Sequence, residues 1–183
     1  MRALRWLPAV ALLAMLLLGW AVGDSSTWVD EQVLYDIYEP GRPSWLLLFT
    51  DWHVLLPVLI GCVAGALYRR RWRLAVVTAV CPAVAILLVY ALKRVFERHK
   101  GGALAYPSGH MTVVVVVTGL LVVVAGGRLW AVAVAIAVSV LGMLGLVLCG
   151  FHYLTDTVGA ALLGTALVCL AAMLTGDRDA SPG

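Results

Sequence analysis

The sequence predicts an all-α membrane protein whose helices cross the lipid bilayer six times. Of its 183 residues, 63% are hydrophobic and only 13% are charged. Soluble domains carry about a quarter charged residues, so a water-soluble domain of this length could not bury so much apolar surface. Six apolar runs, each near the roughly 20 residues that a helix needs to cross the hydrocarbon, are separated by short polar segments. We therefore expect residues 1–183 to form a single integral membrane domain.

The boundaries of the runs predict where each span begins and ends. The second run stops at the basic cluster 69–73, and the turn 126–128 separates the fourth run from the fifth. Residues 113–117 are five consecutive valines, a pattern typical of a buried strand, but the run is too long for one and an open sheet edge is not stable in lipid. The predicted spans are residues 3–22, 52–68, 74–96, 110–125, 129–149 and 153–174.

Basic residues predict the orientation of these spans. If all six runs cross, Arg2, Arg5, the cluster 69–73 and Arg128 fall on one side, and the positive-inside tendency places that side in the cytoplasm. Residues 1–23 have a second interpretation as a cleaved signal peptide, which would leave five spans with the same orientation. The run is longer than a usual signal core, so we favour a span. The loops on the outer side are residues 24–51, 97–109 and 150–152.

Two polar islands, residues 93–110 and 152–156, interrupt the apolar sequence. Because two spans lie between His110 and His152, both islands lie at the same membrane surface. Ionisable groups at the ends of spans are costly in lipid and mark candidate functional sites. Cations on this outer side oppose the charge bias, and we attribute them to an anionic ligand. These cations are Lys93, Arg94, Arg98 and Lys100.

The second island has the spacing of a catalytic pair. His152 and Asp156 are four residues apart and would stack on one helix face. A carboxylate there can accept a proton from one imidazole nitrogen and leave the other nucleophilic. Alternatively, the two side chains only satisfy local polarity at a helix start.

The first island combines cations with a helix start. Lys93 and Lys100 are seven residues apart and would lie on one side of a continuing helix. Ser108 and Gly109 precede the fourth span, where unpaired backbone N–H groups favour an anion, and His110 could protonate a leaving oxygen. As alternatives, the serine and glycine could be turn residues and the cations a headgroup-binding patch. One phosphate site explains all these features together, whereas the structural explanations must each hold independently.

The islands resemble the signature of the type 2 phosphatidic acid phosphatase superfamily, which has three pieces. Its Pro-Ser-Gly-His piece is matched in full by residues 107–110. Its Ser-Arg-x5-His-x3-Asp piece is matched at the end by His152 and Asp156. Its Lys-x6-Arg-Pro piece is matched by Lys93, while Lys100 replaces the arginine and Gly101 the proline.

The resemblance implies a membrane lipid phosphatase that works through a phosphohistidine, with no metal and no cofactor. His152 would attack phosphorus, Asp156 would orient it, and His110 would protonate the leaving group. The substrates implied are phosphatidic acid, phosphatidylglycerol phosphate, a polyprenyl pyrophosphate or a prenyl-linked sugar phosphate. The residues expected to bind phosphate are Lys93, Lys100, Ser108, Gly109 and Arg98.

The sequence departs from the signature at the Ser-Arg pair of the third piece, which aligns with Gly145 and Leu146. Leucine cannot bind the phosphate as that arginine would. Arg98, Arg94 or His99 could supply the missing charge, or the site could be weakened, specialised or inactive.

The expected partners are the lipid substrate and the bilayer. No basic face or aromatic-basic module predicts a nucleic-acid partner, and the pattern does not determine the oligomeric state. Short loops favour a bacterial cell (inner) membrane protein whose site faces outside the cytoplasm. Two other classes stay open: a non-catalytic lipid-phosphate binder, and a small transport or assembly protein in which Lys93 and Asp156 form a structural pair.

Overall fold

The computed structural model of the protein describes residues 6–37 and 44–176, and these form a helical bundle joined by short turns. The apolar runs fold as helices because a helix satisfies its backbone hydrogen bonds within one segment. The one sheet among the described residues is a β-hairpin whose two strands have two residues each. The elements are α1 Leu7–Val22, α2 Trp28–Ile37, a 3-10 segment Ser44–Thr50, α3 Trp52–Tyr68, α4 Trp72–Phe96, β1 His99–Lys100, β2 Ala103–Leu104, α5 Gly109–Val124, α6 Leu129–Leu148 and α7 Leu154–Gly176.

The length and apolar composition of the helices indicate an integral membrane protein. Four described segments are long and apolar enough to cross a bilayer. Helices α1 and α5 are apolar but have 16 residues each, fewer than the roughly 20 of a typical span. Six crossings therefore stay a prediction, and the expected start of the first span, with Arg2 and Arg5, lies outside the described residues. The four segments are Trp45–Tyr68, Trp72–Phe96, Leu129–Leu148 and Leu154–Gly176.

Helix α5 lies at the centre of the bundle and packs against α3, α4, α6 and α7. It contains the five valines, so the prediction of a helix at residues 113–117 is confirmed. Val114, Val116 and Val117 are buried against neighbouring helices. Because α5 is held on several sides, its first turn, which carries Gly109 and His110, has a fixed position.

The loop before α5 fills the middle of the bundle with Tyr106, which is fully buried. The Tyr106 hydroxyl donates to the carbonyl oxygen of Met15 at 2.5 Å, and its ring packs edge-on against Phe96 at 5.0 Å between centroids. Glycines provide the space, since a Cβ atom at Gly19 or Gly159 would overlap this ring. These contacts hold α1, α4 and α7 around one side chain.

We expect Gly159→Ala to lower the free energy of unfolding by about 1–3 kcal/mol, the usual cost of overpacking a core. Its Cβ atom would overlap the Tyr106 ring, which is fully buried. Gly61→Ala is the matched control, because a Cβ atom there meets nothing within 4 Å. Thermal unfolding in detergent measures both variants, and equal shifts would contradict this account of the packing.

The chain between α4 and α5 differs from the sequence-based expectation. Helix α4 ends at Phe96 because Glu97 adopts a left-handed conformation with φ of 48°. Lys100 lies on the β1–β2 hairpin, which turns through Gly101 and Gly102, both at positive φ. The expectation that Lys93 and Lys100 share the side of a continuing helix is therefore wrong.

Candidate active site

The two polar islands meet at an open cavity of about 490 Å³. Lys93 reaches it from the end of α4, Gly109 and His110 from the start of α5, and His152 from the turn before α7. Thr50 and Trp52 line it near the beginning of α3. The cavity continues between α3, α4 and α5, where its walls are almost entirely apolar. Those walls include Leu55, Leu59, Ile86, Val89, Val113 and Val117.

His152 and Asp156 lie next to each other, but not as an ideal hydrogen-bonded pair. His152 precedes α7, which begins at Leu154, so the two residues do not stack on one helix face as expected. The Nδ1 atom of His152 lies 3.6 Å from Oδ2 of Asp156 and has no hydrogen-bond partner. The same carboxylate oxygen accepts the backbone N–H of Tyr153 at 3.0 Å. Hydrogen bonds at catalytic sites are often long before substrate binds.

Ser108 caps the start of α5 and, unlike the two residues that follow it, does not face the cavity. Its Oγ accepts the backbone N–H of Met111 at 3.4 Å, as expected of a serine at a helix start. Its own N–H donates to the backbone carbonyl of Asp156 at 3.2 Å, which joins the starts of α5 and α7. The side chain is fully buried and does not line the cavity, whereas Gly109 and His110 do.

The two lysines predicted to bind phosphate take different positions: Lys93 lines the cavity with the histidines, and Lys100 does not line it. Lys93 donates to the carbonyl oxygen of Leu104 at 2.5 Å and lines the cavity. The Nζ atom of Lys100 is buried without a hydrogen-bond partner and lies 4.3 Å from the centroid of the Tyr153 ring. Burial lowers the pKa of Lys100, and the negative charges of Asp156 and Asp30 partly offset this. A buried ammonium group without a partner is costly, and an anion bound next to it would supply the missing partner.

Arg98, which the sequence predicts to bind phosphate, does not line the cavity. Its side chain is 0% exposed, and its guanidinium is already held by the protein. Nη1 donates to Oγ1 of Thr155 at 2.6 Å and to Oδ1 of Asp156 at 2.8 Å. Nη2 donates to Oδ2 of Asp30 at 2.6 Å, and Nε to the carbonyl oxygen of Ser25 at 3.1 Å. Asp156 thus forms its ion pair with Arg98, whereas Lys93 donates to the carbonyl oxygen of Leu104. The interpretation of Lys93 and Asp156 as a structural pair requires a direct contact that the two side chains do not make.

Asp30 is a residue that the sequence interpretation missed. Its carboxylate accepts the N–H and the hydroxyl of Thr27 and the N–H of Thr155 at 3.1 Å. Burial alone would raise the pKa of Asp30, but hydrogen bonds from Thr27, Thr155 and Arg98 hold the pKa below its ordinary value. Asp30 is therefore ionised at neutral pH. The sequence signal was a threonine three residues before an aspartate, which indicates a helix start and not a contact with α7.

A second cavity of about 300 Å³ lies on another side of His110. Leu146, aligned with the missing arginine, lines it together with Leu47, Asp51 and Phe151. No lysine or arginine among the described residues lines this second cavity, so nothing here replaces the arginine's charge. The other suggested sources, Arg94 and His99, are exposed and line neither cavity.

Comparison with known proteins bears on the fold. Neither a family model nor a curated protein matched the sequence. Among solved structures, the crystal structure of a transmembrane PAP2-type phosphatidylglycerolphosphate phosphatase from Bacillus subtilis matches with a TM-score of 0.76 at 22% sequence identity. The match covers 96% of this chain and 98% of that chain. The resemblance read from the motifs is thus confirmed at the level of the fold, and the chain shares the architecture of a type 2 phosphatidic acid phosphatase over nearly its whole length.

Proposed function

We propose that this protein is a membrane lipid phosphatase that removes phosphate from a lipid phosphate or prenyl (pyro)phosphate through a phosphohistidine. One observation carries the proposal: His110, His152 and Lys93 line a single cavity that continues as an apolar channel between α3, α4 and α5. The polar end suits a phosphoryl group, and the apolar walls suit a hydrocarbon chain. The shared fold with a PAP2-type phosphatase supports the same class of reaction.

In the first step, Nε2 of His152 attacks phosphorus and the bond between phosphorus and the leaving oxygen breaks. His110 donates its proton to that oxygen, so a lipid alcohol or a prenyl phosphate departs. Asp156 faces Nδ1 of His152, accepts its N–H and stabilises the positive charge that develops on the ring.

In the second step, water attacks the phosphorus of phosphohistidine while His110 removes a proton from it. The bond between phosphorus and Nε2 breaks, inorganic phosphate leaves, and both histidines return to their starting states. Lys93, Lys100 and the N–H of Gly109 stabilise the charge on the phosphoryl oxygens, the main requirement of phosphoryl transfer. Ser108 supports this step by fixing the start of α5.

The basic residues between α3 and α4 support an orientation in the membrane. The cluster 69–73 lies at the ends of α3 and α4 that are opposite the cavity. The positive-inside tendency assigns this cluster to the cytoplasm, and the cations around the cavity are the exception to that tendency. We propose six spans in a bacterial cell membrane, with the cavity facing outside the cytoplasm.

The test is phosphate release from a panel of lipid phosphates in detergent micelles. The panel contains phosphatidic acid, phosphatidylglycerol phosphate, a polyprenyl pyrophosphate and a prenyl-linked sugar phosphate. Release from at least one member is expected. Leu146 favours one second candidate, a non-catalytic lipid-phosphate binder; saturable binding of a panel member without release would select it.

We expect the alkaline limit of activity to depend on Lys100. Its pKa lies below the ordinary lysine value of 10.5 because the side chain is buried, so the positive charge is lost, and KM rises, as pH increases through that lowered value. Arginine keeps its charge throughout this range. In Lys100→Arg, KM measured against pH should therefore stay low to a higher pH than in the wild type. An identical alkaline rise in both proteins would exclude Lys100 from phosphate binding.

A further inference from the structure

A buried cluster of charges lies behind the proposed catalytic pair. It consists of Asp30, Arg98 and Asp156, and each of these side chains is 0% exposed. Arg98 is bound to Asp30 at 2.6 Å and to Asp156 at 2.8 Å. None of the three lines the cavity, and the polar atoms of Asp30 and Arg98 are engaged with other protein groups.

The contacts of Asp156 are divided between the cluster and the histidine. Oδ1 accepts Arg98, while Oδ2 accepts the N–H of Tyr153 and faces Nδ1 of His152. Nδ1 has no other partner. Arg98 and the N–H of Tyr153 thus hold the carboxylate in an orientation in which Oδ2 faces the imidazole.

Asp30 determines the position of Arg98 in turn. It lies in the first turn of α2, where the Thr27 hydroxyl donates to it at 2.7 Å. It also accepts the N–H of Thr155 in the first turn of α7 at 3.1 Å. A single carboxylate therefore joins α2, the guanidinium and the beginning of the helix that carries Asp156.

We propose that Asp30 and Arg98 are positioning residues, which hold the Asp156 carboxylate against Nδ1 of His152 and so keep Nε2 free of a proton for attack. This inference rests on the proposed function, in which His152 is the nucleophile. Neither residue matches a position of the three-piece signature. Their effect reaches the reaction only through Asp156, because a carboxylate that accepts Nδ1–H selects the tautomer with an unprotonated Nε2.

The kinetic test uses Asp30→Asn, which keeps the shape of the side chain and removes its charge. We expect kcat to fall roughly 10- to 100-fold, the range seen when the partners behind metal-binding histidines are changed, while KM stays within about threefold. Glu31→Gln is the matched control, because Glu31 is an exposed acid on the same helix whose side chain accepts the Ser26 hydroxyl. Its kcat should equal that of the wild type.

A double variant excludes a simple folding defect. Asp30→Asn with Arg98→Gln removes one charge of each sign, so the net charge of the cluster is kept, although Asp156 loses its cation. We expect a melting temperature above that of Arg98→Gln alone and below that of the wild type, together with the lowered kcat. Wild-type kcat in the folded double variant would show that the cluster serves stability alone, and would overturn the inference.

A spectroscopic test does not depend on finding the substrate. Nitrogen-15 spectra of histidine-labelled protein in detergent report the tautomer of His152, assigned by comparison with His152→Ala. The Nδ1–H form should dominate in the wild type and in Glu31→Gln, and should become a mixture in Asp30→Asn. If no lipid phosphate is hydrolysed but this change occurs, the proposed function fails and the positioning role stands. A wild type without a dominant Nδ1–H form, or an unchanged distribution in Asp30→Asn, overturns the positioning role whether or not lipids are hydrolysed.

Discussion

Phosphate release should fall by roughly 10³-fold or more when His152 is replaced by alanine, because the variant has no nucleophile to form the covalent intermediate. The change should not unfold the protein. His152 is 12% exposed, and its Nδ1 atom has no hydrogen-bond partner to lose. The measurement is the initial rate of phosphate release from the panel member that the wild type hydrolyses best.

The matched control for this variant is His53→Ala. His53 also lies on the site side of the bundle, but its side chain is 77% exposed and contacts the neighbouring Asp51 and Trp52. We expect its rate to stay within about threefold of the wild type. Quenching in alkaline detergent, in which phosphohistidine is stable, should trap phosphate on the wild-type protein and not on His152→Ala. Substantial turnover by His152→Ala would remove His152 from the mechanism.

Replacing Arg98 by methionine should lower the free energy of unfolding by about 3–5 kcal/mol, since removing one partner of a buried ion pair leaves an uncompensated charge. Here two carboxylates, Asp30 and Asp156, would lose their shared cation. For a chain of this length the loss corresponds to a fall in melting temperature of about 6–20 °C. Thermal unfolding in detergent measures it.

Arg94→Met makes the same chemical change four residues earlier, on the exposed surface at the end of α4. Surface substitutions of this kind usually change stability by less than about 0.5 kcal/mol. Equal destabilisation by both substitutions would mean that the methionine side chain, and not the lost ion pair, is responsible. A further change of Asp30 to asparagine should restore part of the stability lost in Arg98→Met by removing one unpaired charge.

The motif residues could be predicted from the sequence because their chemistry is local. Pro-Ser-Gly-His places Gly109 and His110 at a helix start, and the turn before α7 places His152. The exceptions have physical reasons. Glu97 ends α4 in a left-handed conformation and sends Lys100 into a hairpin, a local backbone choice that spacing does not reveal.

The role of Arg98 required the folded chain. The sequence groups Arg98 with Lys93, Arg94 and Lys100, because all four are predicted to lie on the outer side and the sequence indicates no partner for any of them. In the structure its partners Asp30 and Asp156 lie 68 and 58 residues away in the chain. Four of the five N–H donors of Arg98 are used by protein groups, and its side chain is 0% exposed, so it is not available to a substrate.

The helical nature of this protein was determined by its sequence alone, because lipid offers the backbone no hydrogen bonds and a long apolar run must supply its own. The positions of the histidines followed from local motifs for a similar reason. Tertiary structure decided which charges remain available to a ligand. Packing brings α2, the hairpin and α7 together, and only that arrangement makes Arg98 a partner of Asp156 while the buried ammonium of Lys100 stays unpaired.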